Sequence, residues 1–204
     1  RPYSLVLDKS SLYFNAEEQS DLEKLLATYD FTQAPELLQR AEQLIAFQRE
    51  FGISKYNLPS EKKSDIKNQV ARKRCVLVIG QVENDKSIIY GKGNSWTCAR
   101  LIQLACEENP DCEIIYKPHP DVMHGIRTGN APLGPLPSRC RIAERDESLT
   151  ELFALVERVY VITSLSGFEA LIHGLPVTTA GMPFYAGWGL TDDRCPDHHR
   201  SRRL

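Results

Sequence analysis

Cys75-Val-Leu-Val-Ile-Gly80 decides how the rest of the chain is read. Its apolar residues run without a break until the glycine, leaving no face for water. That suits a strand buried on both sides of a parallel sheet rather than a half-solvated, alternating one. Downstream the pattern recurs with helical intervals. A helix is predicted over about 95–108, ending near Asn109-Pro110, then a strand over 113–117 and a long loop over 121–142. A helix over 147–156, a strand over 158–163, a helix over 167–173 and a strand over 176–180 follow. Strands and helices alternating at this spacing predict an α/β domain over 75–194, a Rossmann-like doubly wound parallel sheet.

Working outward, the first 53 residues read as a small hairpin-plus-helices segment. Tyr3-Ser-Leu-Val-Leu7 and Leu12-Tyr-Phe14 flank Asp8-Lys-Ser-Ser11 in the manner of a β-hairpin. Ser20-Asp-Leu-Glu23 has the form of a capping box, predicting a helix over about 21–29. Pro35 suits the first turn of a second helix. Leu37, Leu38, Ala41, Leu44, Ile45 and Phe51 fall on one of its faces, and Gly52 stands where it would stop. Such amphipathic helices are expected to pack on something. Residues 54–74 are polar and charged and read as an inter-lobe linker, with Arg72-Lys73-Arg74 either a solvated end or a phosphate contact. Residues 195–204 read as a tail.

Composition is that of a globular protein: 42% hydrophobic, 25% charged, net charge −2. A nucleic-acid partner would call for a basic domain, so none is expected. No apolar run approaches the roughly 18 residues of a membrane span. The chain opens on Arg1 with no leader pattern, so a piece of a longer protein is expected. Cysteines 75, 98, 106, 112, 140 and 195 fit no zinc spacing and are expected to be reduced and mostly buried. Cys195-Pro-Asp-His198-His199 could hold a metal loosely, but a mobile tail is the better reading. No metal or cofactor is expected.

In doubly wound sheets the ligand sits beyond the carboxyl ends of the strands, here just after residues 79, 116, 163 and 180. The first of these leads into Gln81-Val-Glu83-Asn-Asp85 and then Gly91-Lys-Gly93. The latter is neither a phosphate-binding Walker loop nor a dinucleotide fingerprint, because Trp96 stands where the third glycine belongs. After the second strand, Lys117-Pro-His119-Pro-Asp121 holds an imidazole between two stiff prolines, a turn or a rigid binder of phosphate or sugar oxygen. After the third, Ser166 and Glu169 form a capping box. The same turn, with Ser164 and Gly167, offers a helix N-terminus where a phosphate could sit. The fourth opens Gly181-Met-Pro-Phe-Tyr185-Ala-Gly-Trp188-Gly189, whose rings either pack on a ligand or between lobes. His124 and Arg127 lie in the long loop, close enough to join a site.

Several of these segments, in order, resemble the capsular polysaccharide β-Kdo transferases of the capsule polysaccharide biosynthesis family. The matching pieces are Arg1-Pro-Tyr-Ser-Leu-Val-Leu-Asp8, Ser54-Lys-Tyr-Asn57, Gln81-Val-Glu-Asn-Asp85 and Tyr116-Lys-Pro-His-Pro-Asp-Val122. Thr163-Ser-Leu-Ser-Gly-Phe-Glu-Ala-Leu171 and Pro183-Phe-Tyr-Ala-Gly-Trp-Gly-Leu-Thr191 complete the set. The resemblance implies the C-terminal lobe of a GT-B glycosyltransferase, with the upstream part of the first lobe and the closing helices missing. It implies CMP-Kdo as donor and a lipid-linked glycan as acceptor. It also implies a cytoplasmic site at the inner face of the inner membrane, in contact with membrane and capsule export machinery.

The resemblance further implies a retaining transfer through two inversions. Asp85 would then be the nucleophile, with Glu83 as the competing carboxylate. Gln81 would hold a donor group or orient the aspartate. His119 would stabilise the departing CMP phosphate. Lys117 would pair with that phosphate or the Kdo carboxylate. Ser164, Ser166 and Gly167 would receive the phosphate or ribose. Glu169 would bind ribose hydroxyls unless it only caps its helix, and Tyr185 and Trp188 would pack on the substrate. A GT-B-fold epimerase acting on a UDP-sugar, or a non-catalytic binding module in capsule assembly, are the competing readings.

Overall fold

The computed structural model describes residues 6–55, 66–71, 73–123, 125, 132–144, 147–195 and 202. Six parallel strands form one sheet: β1 (Cys75–Ile79), β2 (Glu113–Lys117), β3 (Cys140–Ile142), β4 (Arg158–Val161), β5 (Val177–Thr179) and β6 (Asp192–Asp193). Their order is β3-β2-β1-β4-β5-β6, with Val76 opposite both Ile114 and Arg158. The chain winds outward from β1 one way and then from β4 the other, so the topology reverses between those two strands. That makes the doubly wound arrangement with its switch point at β1/β4.

All of β1 is buried, as its unbroken apolar run requires. Alternate side chains enter different cores. Cys75, Leu77 and Ile79 join Leu152 and Phe153 of α7 (Leu149–Phe153) and Ala170 of α8 (Leu165–Ile172). Val76 and Val78 meet Ile88 of α4 (Lys86–Tyr90) and Leu101, Ile102 and Ala105 of α5 (Cys98–Glu108). Each fully buried Leu or Ile stabilises the fold by about 1.5–3 kcal/mol. Arg139 donates to the carbonyls of Cys106, Asn109, Pro110 and Cys112, closing the carboxyl end of α5 and fixing the approach to β3.

The helices before the sheet are α1 (Asp21–Thr28), α2 (Pro35–Phe51) and the short α3 (Ile66–Gln69), with α6 (Pro120–Met123) following β2. Ser20 caps α1 as expected, its hydroxyl accepting from the Glu23 N–H at 3.1 Å. Gly52 closes α2 in the left-handed conformation, φ 57°. Among the described residues α2 meets the end of α8 through Arg49, which donates to the Ile172 carbonyl, but none of its residues is buried, and Leu37, Leu38, Leu44, Phe47 and Phe51 are exposed. The hairpin is also corrected. Residues 1–5 lie outside the described part, and 12–14 form a turn rather than a strand. The Asp8 carboxylate instead accepts from the N–H groups of Ser10, Ser11 and Asp21, drawing the backbone into a compact loop.

Two stretches read as connecting or terminal carry core residues. Ile66 and Val70, within the polar 54–74 segment, are buried against β1 and α7. Of 195–204, Cys195 and Arg202 are buried, while 196–201 and 203–204, including His198 and His199, lie outside the described residues. All six cysteines are reduced and buried, and burial pushes the Cys75 and Cys140 thiols up to about 11. Ion pairs gather where β2 and β4 begin: Lys73–Glu113 at 2.9 Å, Arg74–Glu157 at 2.7 Å and Arg158–Asp192 at 3.2 Å. The opposite, carboxyl ends are left for other chemistry.

Candidate active site

At the switch point the connections leaving β1 and β4 diverge and open a cleft of about 460 Å³. Gly80 makes the first turn. Its N–H donates to the Lys117 carbonyl at 2.8 Å, and a Cβ there would meet the Tyr116 hydroxyl at 2.6 Å, so β1 and β2 can part only with a glycine between them. Gln81 follows, buried. Its amide donates to Thr163 Oγ1 at 3.1 Å and accepts from the Thr163 N–H at 2.8 Å, bracing the end of β1 against the end of β4. Gln81 thereby ties the two strands together across the switch point.

Asp85 lines the cleft and caps α4. Its Oδ1 accepts from the Ser87 N–H at 2.9 Å and from the Ser87 hydroxyl at 2.8 Å. Glu83, the competing carboxylate, accepts from the Cys98 N–H at 2.7 Å at the start of α5 and does not line the cleft. From β2, Lys117 and His119 reach the same cavity. Lys117 Nζ donates to the Glu144 carbonyl at 2.5 Å. His119 Nδ1 accepts from the Asp121 N–H at 3.1 Å, which places the imidazole proton on Nε2.

On the β4 side, α8 begins at Leu165, two residues earlier than predicted, and its cap is Ser164, whose hydroxyl accepts from the Ser166 N–H at 3.2 Å. The expected capping box of Ser166 and Glu169 is therefore corrected: Ser166 lies inside the helix. Glu169 holds the chain that follows α2, accepting from the Ser54 hydroxyl at 2.8 Å and the Lys55 N–H at 2.9 Å. Ser164, Leu165 and Ser166 all line the cleft at the positive end of α8. Behind them the Tyr185 hydroxyl donates to the Ser164 carbonyl, and burial pushes that phenol's pKa well up. Gly167 serves this contact, since a Cβ there would lie 2.2 Å from the Tyr185 hydroxyl.

The cleft thus gathers Gln81, Asp85, Lys117, His119, Ser164, Ser166 and Tyr185. It does not gather Gly167, Glu169 or Trp188. Trp188 is buried and donates its indole N–H to the Phe184 carbonyl at 2.8 Å, so it shapes the loop behind the wall. His124 and Arg127 lie outside the described residues. Tyr13, Phe14, Ser54, Lys55 and Glu147 line the cleft and were not singled out as candidates. Glu147 is a buried carboxylate accepting from the Glu144 N–H at 2.7 Å. No local motif marks it, whereas Ser54 and Lys55 stood within a segment of the family resemblance.

Fold and cleft together define a Rossmann-like lobe of the GT-B type. Two solved structures of Thermosulfurimonas dismutans KpsC match it. The β-Kdo 2,4 transferase aligns with a TM-score of 0.83 and 34% identity, over 100% of this chain and 62% of that one. The β-Kdo 2,7 transferase gives 0.72 and 35%, over 97% and 59%. Among curated proteins, the lipopolysaccharide-processing protein LpsZ of Rhizobium meliloti is 41% identical over 202 residues, 99% of this chain and 46% of its own length. The capsule polysaccharide modification protein LipA of Neisseria meningitidis serogroup B is 44% identical over 204 residues, 100% of this chain and 28% of its own. The capsule polysaccharide biosynthesis profile matches residues 1–203, and the chain belongs to that family. It spans less than two thirds of each of these relatives.

Proposed function

We propose that this chain is the donor-binding lobe of a capsule glycosyltransferase that transfers β-Kdo from CMP-Kdo to a lipid-linked glycan with retention. The observation that carries the reading is the convergence of Asp85, Lys117, His119, Ser164 and Ser166, far apart in sequence, on one cleft at the switch point. An acidic group faces cationic, imidazole and hydroxyl groups across that space, the combination needed to attack a sugar carbon while receiving a departing phosphate.

In this reading an Asp85 oxygen bonds to the anomeric carbon as the bond to the CMP phosphate breaks, and the electron pair leaves with CMP. The acceptor oxygen then attacks the same carbon as the bond to Asp85 breaks, its proton passing to the released CMP phosphate, and the second inversion restores the configuration. Engagement of Glu83 at the start of α5 favours Asp85 for the attack. His119, with its proton on Nε2, and Lys117 stabilise the phosphate, with the α8 end and its serines beside them. Glu147, which lines the cleft, is assigned to the ribose hydroxyls, while Glu169 binds Ser54 and Lys55. The acceptor is met at the inner face of the inner membrane, by peripheral contact. Among the described residues no helix is long and apolar enough to cross a membrane.

Calorimetric titration with CMP, using UMP and AMP as controls, tests the reading in the full-length protein. Saturable binding of CMP alone, weakened by His119→Ala, is expected. Preference for a uridine nucleotide would instead favour an epimerase, and binding of none would favour a module acting by contact.

A further inference from the structure

The cleft has a second wall of different chemistry. Lys117, His119 and Glu147 line it from the β2 side, whereas Tyr13, Phe14 and Phe184 form an aromatic rim from the N-terminal arm and the loop after β5. Tyr13 meets Phe14 and Phe184 edge-on, with ring centroids 5.4 and 5.8 Å apart. The rings are partly open: Tyr13 is 36% exposed, and Phe14 and Phe184 are half-buried, Phe184 also packing on the core beside Phe168 and Tyr185. They share the cleft with Asp85. The Ala16 N–H donates to the Tyr90 carbonyl at 2.8 Å, and Phe14 lies 6.5 Å from the Tyr90 ring. Tyr90 ends α4, the helix that Asp85 caps, and five residues of helix span about 7.5 Å.

The arm and the loop are also joined behind the rim. Buried Arg202 donates to Glu23 Oε2 of α1 at 2.9 Å and to the carbonyls of Pro183, Phe184 and Ala186 at 2.9, 3.3 and 2.7 Å. A buried ion pair is a poor source of net stability, and its best-attested use is to fix one arrangement over others. Here it fixes the Phe184 loop against the segment carrying Tyr13 and Phe14.

We propose that Tyr13, Phe14 and Phe184 form a stacking subsite for a pyranose ring of the acceptor, in the cleft that Asp85 also lines. The proposal rests on the glycosyltransferase reading and deepens it. A sugar ring presents C–H groups on its faces and hydroxyls at its edges. The faces suit the electron-rich faces of aromatic rings, while the edges suit the polar groups of the same cleft. In the glycosyltransferase reading the polar side takes the nucleotide, which leaves the aromatic rim for the incoming sugar.

The test uses the full-length protein, CMP-Kdo as donor and the octyl glycoside of β-Kdo as acceptor. Tyr13→Ala and Phe14→Ala should each raise the acceptor KM about five- to tenfold. The donor KM and CMP affinity should hold, and Tyr13→Phe and Phe14→Tyr, which keep the rings, should restore the acceptor KM. A rise in donor KM with acceptor KM unchanged would assign the rings to the donor sugar and overturn the proposal. No change in either KM would overturn the subsite itself. Should the alanine variants unfold, saturation-transfer NMR on the unmodified protein decides: transfer to the pyranose protons supports stacking, and transfer to the octyl chain alone refutes it. Wild-type protein that neither binds CMP nor transfers Kdo would instead sink the glycosyltransferase reading, and the subsite with it.

Discussion

Asp85 has a structural duty and a proposed chemical one, and the two can be separated. Asparagine caps a helix about as well as aspartate. Asp85→Asn in the full-length protein should therefore keep α4 and CMP affinity while abolishing transfer, read by titration and product assay. Unchanged turnover would remove Asp85 from the chemistry. Gly167→Ala is expected to act through packing, since its Cβ would sit 2.2 Å from the Tyr185 hydroxyl. A loss of about 1–3 kcal/mol in denaturant unfolding, with weakened CMP binding, is the expected result. At this scale the sequence was legible where a rule named a place. The carboxyl-end rule located Asp85, His119 and Ser164, because each follows a strong strand. Glu147 and Glu169 were not legible: one follows a weak, three-residue strand, and the other's partners, Ser54 and Lys55, lie more than a hundred residues away.

Among the elements, α8 bears most directly on the site. Ser164→Ala removes its cap and should cost about 1 kcal/mol in unfolding free energy. His173 ends the same helix. Burial, followed by the nearby Arg49 charge, holds its pKa below the usual 6.5, and its ring lies 5.2 Å from that of Phe153. Below pH 6.5 the unfolded chain takes up this proton first. The neutral imidazole's contribution is thus fully present above 6.5 and is lost as pH falls through the folded value. His173→Gln should flatten the stability profile over that window in melts at stepped pH. The strands divide in the same physical way. β1 and β2 announce themselves by apolar runs. β6 is Asp-Asp, and it exists because β5 offers an edge and because the Thr179 and Thr191 hydroxyls and the Gly187 N–H donate to Asp193. No hydrophobic pattern could reveal it. The capping box was misplaced because Ser166 and Glu169 fit its spacing, while Ser164 sits where the chain enters the helix.

For the molecule as a whole, the bare face of α2 is the largest departure from amphipathic expectation. With Leu38, Leu44, Phe47 and Phe51 exposed, this chain by itself should associate as its concentration rises, and Leu44→Lys with Phe47→Lys should shift it toward monomer in sedimentation runs. Acid should act at the β6 edge of the sheet, where Asp192 pairs beside Thr178. Hydrogen bonding to Arg194 holds Asp192 below its usual 3.8, so its contribution stands above that value and is lost as pH falls through the folded pKa. Asp192 is half-exposed, so Asp192→Asn should blunt the acid transition below about pH 4 only slightly. The amino ends of the strands, away from the cleft, have a practical use. Every native thiol is buried, with burial raising those of Cys75, Cys98, Cys106, Cys112 and Cys140. A maleimide would therefore react first with a cysteine introduced on the surface. Asp111→Cys, on the exposed turn between α5 and β2, would tether the protein to a sensor chip by its base, with every copy oriented alike and its mouth open to the flow.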